Sequence, residues 1–192
     1  MIQILFTIFI VMFAPIPWLI IAIHLLIKSG MWNSIASKVV LITISLLVWG
    51  LLGYWLLNNN DFLFARQFQN IIAQIVGIIV LLIATVIEFL THKSLGTSRI
   101  FGSSEFKQSK DKLITHGIYK YARHPRYVEH PLWALGWGFT FGYTSLLWFF
   151  LYLLIGFVLL AYIEEQELIK RYGEQYLEYK KKVPAFFIGV KN

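Results

Sequence analysis

Four long apolar runs separated by polar breaks dominate the chain. Residues 2–27, 39–57 and 71–90 each supply the roughly 20 apolar residues that a helix needs to cross about 30 Å of hydrocarbon at about 1.5 Å per residue. Pro15 and Pro17 predict a kink or broken turn in the first run, tolerable where neighbouring helices cover the freed carbonyls. That run lacks a basic start, is long for a signal peptide and is not followed by a small-residue cleavage site, so it reads as a retained span. The fourth run, residues 131–163, holds 33 residues without a charge. One helix of that length would be about 50 Å long and overshoot the bilayer, so it must fold back. The break falls at Phe141-Gly142-Tyr143-Thr144-Ser145, and the fourth span reaches adequate length only by starting near Tyr127. The reading is an all-α membrane bundle of about five transmembrane helices.

Composition agrees and removes several chemistries. The chain is 58% apolar and 14% charged, against about 45–50% and 25% in soluble domains. With no Cys it has no disulfide, thiolate metal ligand or cysteine nucleophile. The 17 basic residues give a net charge of +7, but most cluster between spans three and four (Lys93 to Arg126) and after span five (Lys170 to Lys191), with Lys28 and Lys38 in the first loop and Arg66 in the second. The positive-inside rule places both clusters in the cytoplasm, with the N-terminus outside. The excess charge thus reports orientation, and nucleic acid is not an expected partner. One integral membrane domain, residues 1–192, is expected: three spans in 1–90, a polar loop in 91–127, a hairpin in 128–163 and a helix with tail in 164–192.

Any chemistry must sit in the two polar blocks and the helix ends above them. The first contains LITHGIYKYARHPRY, residues 113–127, with Lys112 before it, and its Gly117 and Pro125 stiffen the approach to span four. Two readings fit: a rigid ligand-holding loop, or Tyr119, Tyr121 and Tyr127 as interfacial anchors with Arg123 and Arg126 on lipid headgroups. The second block opens with Glu164 and Glu165, which read either as a solvated turn or as part of a site. Leu168, Tyr172, Tyr176, Tyr179 and Val183 recur at helical spacing and predict an amphipathic arm lying on other cytoplasmic parts. Glu178 and Lys182 form an i, i+4 pair.

His24 and Glu88 are ionisable groups within spans, near enough to the cytoplasmic boundary to reach water. None of the five His residues has H-x-x-x-H or H-E-x-x-H spacing, and no metal site is expected. No repeat, Walker loop, G-x-S-x-G or dinucleotide fingerprint occurs.

The ordered set G-I-Y, R-H-P-x-Y, a helical hairpin, and EEQELIKRYGEQYLEYKKKVP resembles the isoprenylcysteine carboxyl methyltransferase family of integral membrane enzymes and, more loosely, the phospholipid N-methyltransferases. It covers about residues 112–184. The resemblance implies S-adenosylmethionine as methyl donor, bound between the polar blocks, and a lipophilic or prenylated acceptor arriving from the membrane lipid. Carried over by position, Lys112, Leu113, Ile114 and Tyr119 would line the cofactor site, with Asp111 nearby. His124, Pro125, Arg126 and Tyr127 would clamp it, and Glu164 with Glu165 would close it. Aromatic faces and a carboxylate suit a cationic sulfonium, and Arg suits its amino-acid carboxylate. A carboxylate or thiolate acceptor needs no general base, whereas an ammonium must first lose a proton. His124, Glu129 and His130 are the groups for that step, and with Arg126 they form the expected catalytic set. Two positions depart from the prenylcysteine pattern: Glu129 stands where a small residue is usual, and Leu160 where an Arg serves the acceptor. The donor half therefore matches better than the acceptor half. Isoprenylcysteine carboxyl O-methylation leads. A phospholipid amine or small thiol as acceptor, a non-catalytic membrane module, and a nicotinamide-dependent membrane reductase remain the alternatives.

Overall fold

The computed structural model describes residues 2–31, 34–59, 61, 64, 68, 70–95 and 112–187. The loop charges Arg66, Arg99, Lys107, Lys110, Asp111 and Lys191 lie outside them. Helices α1 (Ile2–Phe13) and α2 (Ile16–Lys28) are two halves of the first span, broken at the prolines. Pro15 has no N–H to give to Val11 O, and the Trp49 indole N–H on α3 (Ile35–Asn58) donates to that carbonyl instead. The Tyr152 hydroxyl donates to Ala14 O at 2.8 Å. Both donors come from other helices, as a broken span in hydrocarbon requires.

Helix α4 (Ile71–Leu95) packs on α5 (Arg126–Phe141), which turns through Gly142 at φ +70° into α6 (Thr144–Tyr172). The hairpin break is where the uncharged run placed it. Gly136 and Gly138, two residues apart, face different neighbours. A Cβ on Gly136 would lie 2.7 Å from Leu81 of α4, and one on Gly138 would meet Leu147 of α6. On α4 a Cβ on Gly77 would collide with Thr140 and with Gly136 O, so small residues set the interhelical distance. Gly77 beside Thr140 and Leu81 beside Gly136 make α4 and α5 antiparallel. Pro17 against Gly156 and His24 against Glu167 make α2 and α6 parallel. Spans one, three and five therefore run in one sense.

Among the described residues four helices are long and apolar enough to cross a membrane, α1 and α2 counting as one. The fifth segment, α5, has 16 residues and is about 24 Å long. The chain is an integral membrane protein. The buried core centres on Phe6, Phe64 and Tyr143, with Leu146, Leu153, Phe157 and Leu160 of α6. α3 is apolar all round and buries only Leu56, as expected of a helix facing lipid.

His24 departs from its expected contact with water: it is 7% exposed and its Nδ1 lies 2.8 Å from Glu167 Oε1. The terminal arm also departs from one continuous helix. Gly173, at φ +56°, ends α6, and α7 (Glu174–Lys182) turns back on it. Glu178 pairs with Lys181 at 2.8 Å rather than with Lys182.

Candidate active site

The two polar blocks meet. Gly117, at φ +61°, starts a 3₁₀ turn (Gly117–Lys120) whose Ile118 N–H donates to Ser94 Oγ on α4 at 3.4 Å. The next segment is zipped to the chain end: Arg123 N–H donates to Pro184 O and His124 N–H to Ala185 O, both at 2.9 Å. The Tyr179 hydroxyl on α7 donates to Tyr119 O at 2.6 Å.

Arg123 does not serve lipid headgroups. Its buried guanidinium donates to Glu165, from Nε at 2.8 Å, and to Val183 O and Lys180 O. Lys180 Nζ binds the other Glu165 oxygen at 2.7 Å. A buried carboxylate is tolerable only when paired in this way, so Glu165 ties the arm and the loop to α6. Tyr121, 68% exposed, keeps the surface position expected of an anchor.

Glu164 is built differently. Its Oε2 accepts from the Tyr127 hydroxyl at 2.8 Å and lies 3.3 Å from His124 Nδ1. Its other oxygen has no donor among the described residues, and Glu164 lines a cleft. Tyr127 is stacked between the His124 imidazole (5.4 Å, 5°) and Phe157 (5.2 Å, 20°), which fixes the ring that positions Glu164. His124 is 5% exposed, with Nε2 3.5 Å from Glu165 Oε1. Burial alone lowers the His124 pKa, but Glu164 and Glu165 outweigh it and the net shift is upward from 6.5. An imidazolium held between two carboxylates results. Burial, the largest cause, pushes the Tyr119 hydroxyl well above its ordinary value, so it stays a neutral donor.

The cleft lies over these groups. Lys112, Leu113, Ile114, Tyr119, His124, Arg126, Tyr127 and Glu164, all expected at the site, line it together. Pro125 is buried at the head of α5, and Glu165 lies outside the lining. Glu129 and His130 also lie outside it. Glu129 is 2% exposed, its Oε1 is 3.4 Å from His130 Nδ1, and the His130 ring meets Phe13 and Phe157 edge-on. Sequence reasoning missed Arg171 and Tyr172 at the end of α6 and Tyr176 and Tyr179 on α7, which complete the lining. Their 3–4 residue spacing showed the apolar face, and Tyr176, Tyr179 and Val183 do bury against Leu113 and Leu168. Nothing local told which segment that face would meet.

The lining suits a ligand carrying both signs of charge: an open carboxylate oxygen, four tyrosines besides Tyr127, and the cations Lys112, Arg126 and Arg171. His124 Nε2 is a buried polar atom with no hydrogen-bond partner. This set fits S-adenosylmethionine, whose sulfonium, carboxylate and ribose hydroxyls call for those groups.

Residues 72–175, more than half of the chain, match the phospholipid methyltransferase family. Among curated proteins the chain is similar to the protein-S-isoprenylcysteine O-methyltransferase of Schizosaccharomyces pombe, 43% identical over 81 residues, covering 41% of this chain and 34% of that one. It is 34% identical over 128 residues to that of Xenopus laevis, covering 61% and 42%. A probable protein-S-isoprenylcysteine O-methyltransferase of Oryza sativa subsp. japonica is 32% identical over 115 residues, covering 56% and 57%. The chain thus matches between a third and somewhat over half the length of these relatives. No solved structure matches.

Proposed function

Because the chain belongs to the phospholipid methyltransferase family, we propose that it transfers a methyl group from S-adenosylmethionine to a lipophilic acceptor at the membrane surface. The observation that carries this is Glu164: one oxygen is held by Tyr127 and His124, the other has no donor among the described residues, and the residue lines an aromatic, cation-flanked cleft at the head of the membrane helices. The bound cofactor supplies an electrophilic methyl group on a sulfonium. The chain's task is placement and exclusion of water. Glu164 and the tyrosine faces hold the cationic sulfur, and Arg126, Arg171 or Lys112 takes the amino-acid carboxylate. Leu113 and Ile114 cover the base, with Pro125 fixing the head of α5. Glu165 serves the same site by anchoring Arg123 and Lys180 beneath it. The positive-inside rule, applied to the basic loops, supports a cytoplasmic position for this face.

The names of the relatives support a prenylcysteine carboxylate as acceptor, which is methylated without a base. An amine acceptor would use the Glu129–His130 pair one turn deeper, and a thiolate would need neither. S-adenosylhomocysteine titrated into the detergent-purified chain by calorimetry is expected to bind at micromolar levels. Glu164→Ala and His124→Ala should each lose that binding while remaining folded. Unchanged affinity in both would overturn the site assignment.

A further inference from the structure

The N-terminal span reaches this site through one side chain. His24 sits two turns into α2, outside the residues matched to the family. It is buried, and its Nδ1 lies 2.8 Å from Glu167 Oε1 on α6. Glu167 and Glu164 are three residues apart on one helix and share a face. His24 thus meets α6 one turn from Glu164. No other described side chain is paired with Glu167.

The helix that carries His24 is held apart from its own first half. The proline break frees α2 from α1, and the Ala14 carbonyl at the break is tied to α6 by Tyr152 rather than to its own helix. Pro17 is seated against Gly156, and the Trp18 and Tyr152 rings lie 6.2 Å apart. α2 therefore docks on α6 at two levels: near the break through Tyr152 and Gly156, and at the site through His24. The lower contact is polar and lies beside the cofactor-facing carboxylate. A packing residue there would be apolar, because an ionisable side chain within a membrane helix is costly unless it has a task.

We propose that His24 is a positioning residue for methyl transfer, fixing the Glu164–Glu167 face of α6 from the bilayer side so that the free Glu164 oxygen stays aimed into the cleft. This rests on the methyl-donor reading above. It gives the N-terminal half-helix a direct part in the site beyond spanning the membrane.

The test is S-adenosylhomocysteine affinity, by calorimetry on the full chain in detergent, for His24→Leu, Glu167→Gln and Tyr152→Phe. Tyr152→Phe removes the hydrogen bond from α6 to the Ala14 carbonyl at the break before α2 and so controls for docking alone. His24→Leu and Glu167→Gln are expected to weaken binding about fivefold, and His24→Gln, which keeps a polar group opposite Glu167, to recover most of it. Tyr152→Phe should lower the melting temperature and leave affinity unchanged. Equal weakening by all three variants would reduce His24 to a structural contact, and unchanged affinity in His24→Leu and Glu167→Gln would overturn the proposal. Wild-type protein that binds no S-adenosylhomocysteine would instead overturn the donor reading on which it rests.

Discussion

Two adjacent carboxylates on α6, identical in chemistry, take different tasks because of what surrounds them. Glu165 has both oxygens engaged by Arg123 and Lys180, and is a strut. Glu164 shares one oxygen with Tyr127 and His124 and presents the other. His124 lies between them, and its proton makes the network sensitive to pH. Its raised pKa means that the native state holds the proton more tightly than the unfolded chain. The associated stability is fully present below the unfolded value of 6.5 and is lost as pH rises through the higher folded value. Melting temperatures of wild type and His124→Gln, compared in detergent from about pH 6 to about pH 9, should show a gap that narrows as pH rises. A gap that widens with pH would show that His124 is neutral in the fold.

At the level of helices, packing rests on glycines that face inward. Gly77→Leu would drive a side chain into Thr140 and the Gly136 carbonyl, and overpacking of this kind costs on the order of 1–3 kcal/mol. Gly50→Leu, on α3 where a Cβ meets nothing within 4 Å, should be close to neutral. Thermal unfolding of the two variants checks this, and equal melting temperatures would contradict the described α4–α5 contact. The same level shows what a sequence carries and what it does not. The hairpin was legible because an uncharged run of that length has no straight solution in a bilayer, and Gly142 marked the turn. The break at Pro15 was legible, but not Trp49 as the donor that repairs it, since that pairing joins residues on different spans. The split at Gly173 was hidden because the tyrosine periodicity of the arm runs across it without a change of phase.

Across the whole molecule, several spans contribute to the site. α4 holds the Gly117 turn through Ser94, α5 opens with Arg126 and Tyr127, α6 carries Glu164 and Glu165, and α2 meets α6 through His24 against Glu167. The motif residues of the two polar blocks were legible because their chemistry is local to R-H-P-x-Y and E-E. The cross-links that assemble them, His24 to Glu167 and Arg123 to Glu165, were not, because their partners are distant in sequence and each charge alone reads as surface. Glu129 and His130 lie outside the cleft lining, 3.4 Å from each other, and the His130 ring meets Phe13 and Phe157. The most direct test of the account is methyl transfer itself: the chain reconstituted in lipid vesicles, given methyl-labelled S-adenosylmethionine, with a prenylcysteine analogue, an amine lipid or a thiol supplied in separate reactions. The account predicts label in the organic-extractable product of at least one reaction, abolished by Glu164→Ala. Folded wild-type protein that transfers no label to any of the three, and binds no S-adenosylhomocysteine, would contradict it.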